Sequence, residues 1–211
     1  MNKDIDTREK KLLTVNMTDF KTREDGDGTR HIEGYFAVFN SNYDIGEGMS
    51  ESIAPGAFSR TLNDPASDVR ALINHDTTLV LGRTTAGTLS LTEDSHGLRG
   101  DILVNPNDQD ALNALARVER GDVNQCSFGF YVREEETEFD PQTGAVHWTL
   151  KDVDLFEVSI CTFPAYQATE VHARAAEAEK LREEMEERKA EAWREEMRQR
   201  LHHNKEEEPN E

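Results

Sequence analysis

Short apolar runs of strand length follow one another between residues 31 and 163, and this pattern constrains the fold more than any other feature of the chain. Aromatic and β-branched residues are common in these runs, and glycines or Asn/Asp clusters separate them. The runs fall at residues 31–39, 68–74, 79–81, 88–91, 98–104, 125–132 and 153–163. This spacing predicts a sheet-rich domain with its own core, in which residues 40–50 form a loop.

Helical patterns accompany the strands at three places. Residues 55–62 predict a short helical segment, and residues 107–120 predict an amphipathic helix that stops at Gly121. From Ala173 the composition changes to Ala, Glu, Lys and Arg with almost no turn residues, which predicts a long polar helix to about Leu201. Its apolar residues wind around the axis, so it is either a solvated helix or an arm that binds a partner.

The chain therefore divides into three predicted segments. Residues 1–30 are polar, with one alternating patch at residues 12–20 that could be an edge strand. Residues 31–172 form the domain, an α+β fold built mainly on an antiparallel β-barrel or sandwich with a few helices. Residues 173–211 form the charged helical tail, and its end is expected to be disordered.

The charge and the missing motifs exclude several classes of function. The formal net charge of −19 repels nucleic acid and anionic membranes, so neither is expected as a partner. No apolar run approaches the roughly 18 residues of a membrane span, and the N-terminus lacks the apolar stretch of a secretory signal. The sequence contains no HExxH, CxxC, P-loop or GxSxG motif, and Cys126 and Cys161 are not spaced as a metal site. No metal or cofactor is expected.

Three polar residues stand inside or beside apolar strands and are candidates for chemistry. His75 ends an apolar strand within LINHD, a rigid and accessible position that suits a general base. Ser127 lies in the apolar run NQCSFGFY next to Gly129, which would permit close approach of a substrate or an oxyanion. Glu157 lies in DLFEVSICTFPA, where alternation would place it on one face with Leu155 and Ser159.

Each candidate also has a purely structural interpretation. A histidine near a turn is usually a surface residue, and a serine in a buried strand is usually a hydrogen-bonded filler. A carboxylate on a buried strand needs a partner, which for Glu157 could be a histidine or an arginine such as Arg83, unless Glu157 is exposed at a sheet edge. The two cysteines are expected to be reduced, buried thiols.

Taken together, the strings NHD at 74–76, CSFGF at 126–130 and EVSICTFPA at 157–165 resemble the prohead proteases of tailed bacteriophages. Other strings match in the same order, at residues 33–40, 55–58, 81–83 and 97–100. The resemblance covers residues 32–172. It implies a fold similar to the herpesvirus assembly proteases, a β-barrel ringed by helices.

The resemblance also implies an activity. Such enzymes are packaged in the immature shell in the host cytoplasm, cut scaffold or capsid-protein segments there, and process themselves. Ser127 would be the nucleophile and His75 its base. Related viral proteases use a second histidine as the third member, whereas the resemblance to the phage enzymes implies an acid. Glu157 is therefore the predicted third member, with His147 and Asp76 as alternatives. The herpesvirus relatives pair as dimers, so a homodimer is possible.

Two other functions remain open from the sequence. One is a catalytically inactive scaffold or capsid-assembly protein on the same fold. The other is a β-barrel binding module unrelated to proteolysis, in which the three polar residues would be scattered.

Overall fold

The computed structural model describes residues 10–16, 18–163 and 168–206. The strands in these ranges are β1 Lys10–Asn16, β2 Thr18–Glu24, β3 Arg30–Val38, β4 Tyr43–Gly46, β5 Met49–Ile53, β6 Arg70–Ile73, β7 Asp76–Arg83, β8 Leu89–Glu93, β9 Gly97–Leu103, β10 Gln125–Phe139 and β11 Val146–Cys161. The helices are α1 Ser59–Asn63, α2 Gln109–Arg120 and α3 Ala168–Glu206, with a 3-10 turn at Thr84–Ala86.

The described strands pair into two sheets. The larger has the order β1-β10-β11-β5-β4, and β6 and β7 extend it along the second half of β11. The smaller has the order β2-β3-β9-β8. Most pairings are antiparallel, but β11 pairs in parallel with β5 through its first half and with β6 through its second half. The predicted α+β class is confirmed, whereas the two sheets do not close into the expected barrel.

The core joins the two sheets and the short helices. Phe36 and Leu98 come from the smaller sheet, Phe128 and Phe130 from β10, and Phe58 precedes α1, all of them fully buried. The Phe128 and Phe130 rings stack 5.0 Å apart because alternate residues of a strand point to the same face. The opposite face of β10 is thereby left to Ser127 and its neighbours.

Two of the predicted helix boundaries have clear local causes. The Asp108 side chain accepts hydrogen bonds from the N–H groups of Asp110 and Ala111 and so caps the start of α2. Gly121 ends the helix with a left-handed φ of 80°, as its sequence position predicted. The prediction of a loop over residues 40–50 is wrong, because β4 and the first residues of β5 form a hairpin there.

Helix α3 is anchored to the larger sheet at its start. Arg174 is buried, lies 4.5 Å from the centre of the Trp148 ring and pairs with Glu51 and Glu135. Burial lowers the pKa of Arg174, but the bonds to Glu135 and the charge of Glu51 outweigh it and raise that pKa above its ordinary value. Further along, Trp193 is 60% exposed. None of the described helices is long and apolar enough to cross a membrane.

Candidate active site

The turn that carries His75 is a two-residue hairpin between β6 and β7. Ile73 pairs with Asp76 across it, and Asn74 and His75 have positive φ values of 51° and 62°. Positive φ at both central residues is typical of a type I′ turn, which matches the twist of the flanking strands. Asn74 secures the turn, because its backbone N–H donates to Ile160 and its side-chain oxygen accepts from the N–H of Thr162. His75 is therefore mounted rigidly at the strand end, as predicted.

Glu157 lies beneath the imidazole of His75. Its Oε1 is 2.6 Å from Nδ1 of His75, and the carboxylate is almost fully buried. An ionised carboxylate only accepts hydrogen bonds, so Nδ1 is the donor in this contact, and in a neutral imidazole Nε2 is then the basic nitrogen. The arginine partner considered for Glu157 is engaged elsewhere, since Arg83 pairs with Asp68. The contact that a general base needs for orientation is thus present.

A β-bulge sets the face on which Glu157 lies. Gly129 pairs with Glu157, but the next residue, Phe130, pairs with Leu155, so Phe156 is the extra residue of β11. Leu155 consequently points into the core, and the prediction that it shares a face with Glu157 is wrong. A bulge turns two consecutive side chains to one side, which brings Phe156 and Glu157 together.

Gly129 leaves room for those two side chains. A Cβ at this position would come within 2.6 Å of the Phe156 ring and 2.7 Å of Cγ of Glu157. The close approach that the sequence suggested at Gly129 is therefore made by the protein's own side chains. We expect any larger residue here to displace the carboxylate.

Ser127 lies on β10, the strand that pairs with the Glu157 strand β11, and is fully buried. Its register partners are Ser159 on β11 and Thr14 on β1. The Ser127 hydroxyl donates to the backbone carbonyl of Leu13 at 3.0 Å, so strand β1 covers the predicted nucleophile. Neither the closing of β1 over Ser127 nor this hydrogen bond was anticipated from the sequence.

Nε2 of His75 faces a thiol in this arrangement. The Sγ atom of Cys161 lies 3.7 Å from it, at the end of β11. Burial, with a smaller contribution from the Glu157 charge, raises the pKa of Cys161 to about 12. A cysteine nucleophile requires a lowered pKa, so Cys161 is a neutral neighbour of the histidine rather than an activated thiolate.

The two alternative third members lie in other hydrogen-bonding environments. His147 is in the first half of β11, with Ser50 Oγ 2.8 Å from its Nδ1 and Ser52 Oγ 2.8 Å from its Nε2. Asp76 is exposed and accepts hydrogen bonds from the Thr78 hydroxyl and N–H, which lower its pKa. Within the described residues, no group of three or more metal-ligating side chains forms a cluster.

Comparisons with known proteins identify the family. The family described as caudovirus prohead serine protease matches residues 18–184. The prohead protease of Enterobacteria phage HK97 is 33% identical over 165 residues, which are 77% of this chain and 68% of that protein. The structure of the capsid assembly protease of bacteriophage T4 aligns with 75% of this chain and all of its own, at 10% identity and a TM-score of 0.47. The chain belongs to the prohead proteases of the tailed bacteriophages.

Proposed function

We propose that this chain is a serine endopeptidase of prohead maturation, which cuts scaffold or capsid-protein segments inside the phage procapsid and also processes itself. The observation that carries the proposal is the bond between Nδ1 of His75 and Glu157, one strand away from Ser127. Its partners are the capsid and scaffold proteins of the procapsid, which assembles in the host cytoplasm. No cofactor takes part.

The mechanism follows from the two nitrogens of His75. Nε2 accepts the proton of the Ser127 hydroxyl as the oxygen attacks a peptide carbonyl. Glu157 holds the ring through Nδ1 and stabilises its positive charge. The imidazolium then returns the proton to the leaving amine, and water releases the acyl group by the same steps. In the structure Nε2 faces Cys161 and the Ser127 hydroxyl bonds Leu13, so this hydroxyl has to leave Leu13 and turn to Nε2 when β1 is displaced.

Strand β1 has to leave before a substrate can reach Ser127. Leu12 and Leu13 are buried, and Lys11 lies 3.9 Å from Glu51, so β1 is held by packing as well as by its pairing with β10. A peptide substrate in extended form would replace β1 as the antiparallel neighbour of β10. We therefore propose that the N-terminal segment covers the nucleophile and is displaced or cleaved during self-processing.

Tying β1 to β10 with a disulfide is expected to block the enzyme. Lys10 and Tyr131 are register partners, and opposed residues of antiparallel strands have Cα atoms about 4.5–5.5 Å apart, within disulfide range. The variant K10C/Y131C should lose cleavage of its cognate scaffold protein when oxidised, to the level of Ser127→Ala, and regain it with reductant. Gel analysis of the scaffold fragments measures this.

A second disulfide controls for the effect of oxidation. Glu24 and Arg30 are register partners on β2 and β3, in the other sheet. E24C/R30C should cleave equally in both redox states. Full activity of oxidised K10C/Y131C would contradict the displacement of β1.

The C-terminal tail is proposed to direct the enzyme into the shell and to be removed later by self-cleavage. Because Arg174 and Ala178 are buried against the domain, a truncation has to spare them. Ending the chain after Arg188 should leave cleavage of scaffold protein intact and prevent incorporation into proheads. Immunoblots of purified proheads measure incorporation, and normal incorporation of the shortened chain would overturn this role.

Incubation with the cognate capsid and scaffold proteins tests the function as a whole. Discrete fragments are expected with the wild type and none with Ser127→Ala. An inactive assembly protein on this fold would yield no fragments with either chain, while proheads carrying Ser127→Ala would still mature.

A further inference from the structure

Ser159 connects the predicted base and the predicted acid. It lies on β11 two residues after Glu157, is fully buried, and has Ser127 and Leu72 as its register partners. Its hydroxyl donates to Oε2 of Glu157 at 2.6 Å, and its oxygen accepts the backbone N–H of His75 at 3.3 Å. One side chain thus bonds both residues, and both hydrogen-bonding roles of the hydroxyl are used.

The bond to Glu157 fixes which carboxylate oxygen faces the histidine. Oε2 is occupied by Ser159, so Oε1 is left for Nδ1 of His75. A carboxylate in a buried site without this second donor would be free to rotate about its last side-chain bonds. It would also lose a hydrogen bond to a charged group, the stronger kind in proteins.

The second bond of Ser159, which accepts the backbone N–H of His75, stabilises the turn between β6 and β7. A positive φ is uncommon for a residue with a Cβ, and His75 adopts one at 62°. Its N–H points into the site and is satisfied by Ser159, which ties the turn between β6 and β7 to β11. The ring and the carboxylate are therefore fixed relative to each other through one hydroxyl.

We infer that Ser159 is a positioning residue of the active site, which orients Glu157 and the His75 turn so that Nε2 stays available as the base. The inference rests on the proposed function, because only that function makes His75 a general base and Glu157 the acid that orients it. In this role Ser159 acts through its bonds to Glu157 and to the His75 backbone.

The test pairs kinetics with a signal that does not depend on activity. In the Ser127→Ala background, which keeps the chain whole, the proton on Nδ1 of His75 should give a low-field NMR resonance that His75→Gln removes. Ser159→Ala should abolish or shift this resonance, and Ser159→Thr, which keeps the hydroxyl, should restore it. With Ser127 present, Ser159→Ala should lower kcat about 10- to 100-fold with little change in KM, as expected for loss of a bond to a charged group.

Ser52→Ala is the matched control, because Ser52 is also a buried β-strand serine that bonds a histidine, His147. It should leave both the resonance and kcat unchanged. An unchanged resonance and kcat in Ser159→Ala, with only a lower melting temperature, would overturn the inference. If the resonance depends on Ser159 but the chain that retains Ser127 shows no cleavage activity, the placement of Ser159 is supported and the proposed function is contradicted.

Discussion

Replacing Ser127 by alanine, or His75 by glutamine, is expected to lower kcat for scaffold cleavage by a factor on the order of 10⁶. The nucleophile and its base act as one unit, so the double variant should be no slower than either single one. Initial rates on the cognate scaffold protein, measured at substrate saturation, give these values. The melting temperature of each variant checks that the fold is retained.

The protein offers a matched pair of residues as the control. Ser52 and His147 are a serine and a histidine on adjacent strands, β5 and β11, whose side chains are hydrogen-bonded at 2.8 Å. Ser52→Ala and His147→Gln should retain cleavage, because they lie outside the proposed triad. If Ser52→Ala and His147→Gln lost most of their cleavage activity while Ser127→Ala retained it, the active site would have to be assigned to Ser52 and His147.

Glu157→Gln is expected to have the second largest effect, a fall in kcat of about 10⁴. Glutamine keeps the size of the side chain but carries no charge, so it cannot stabilise the imidazolium that forms during attack. Its amide can also present an N–H to Nδ1, which would favour the tautomer with the proton on the wrong nitrogen. The same rate measurement, with KM determined separately, should show that the loss lies in kcat.

The alternatives for the third member are tested by equivalent changes. Asp76→Asn should leave kcat nearly unchanged, because Asp76 bonds Thr78 in its own turn. His147→Gln should do the same. If either variant lost more activity than Glu157→Gln, the assignment of Glu157 would be contradicted.

The parts of the site that local sequence determines were predictable. His75 follows an apolar strand and stands in a turn, and Gly121 ends the helix that precedes β10. The need of a buried carboxylate for a partner led to the pairing of Glu157 with a histidine. Each of these inferences depends on residues close in the chain or on the chemistry of one side chain.

The parts that depend on distant pairing were not predictable. The bulge at Phe156 reverses the face of Leu155, and a bulge is defined only by the partner strand, here β10. The hydrogen bond from Ser127 to Leu13 joins residues 114 positions apart. Strict alternation did place Ser159 on the same face as Glu157. Its hydrogen bond to the backbone of His75 was not predictable, because the turn that contains His75 is distant in the sequence.

Self-shortening during expression tests the serine mechanism most directly. Intact mass is measured for the wild type, Ser127→Ala and Cys161→Ala after expression of each full chain of 211 residues. Cys161 is included because its thiol, and not the Ser127 hydroxyl, lies 3.7 Å from Nε2 of His75. We predict shortened products for the wild type and Cys161→Ala, and a whole chain for Ser127→Ala. A whole Cys161→Ala chain beside a shortened Ser127→Ala chain would contradict the account.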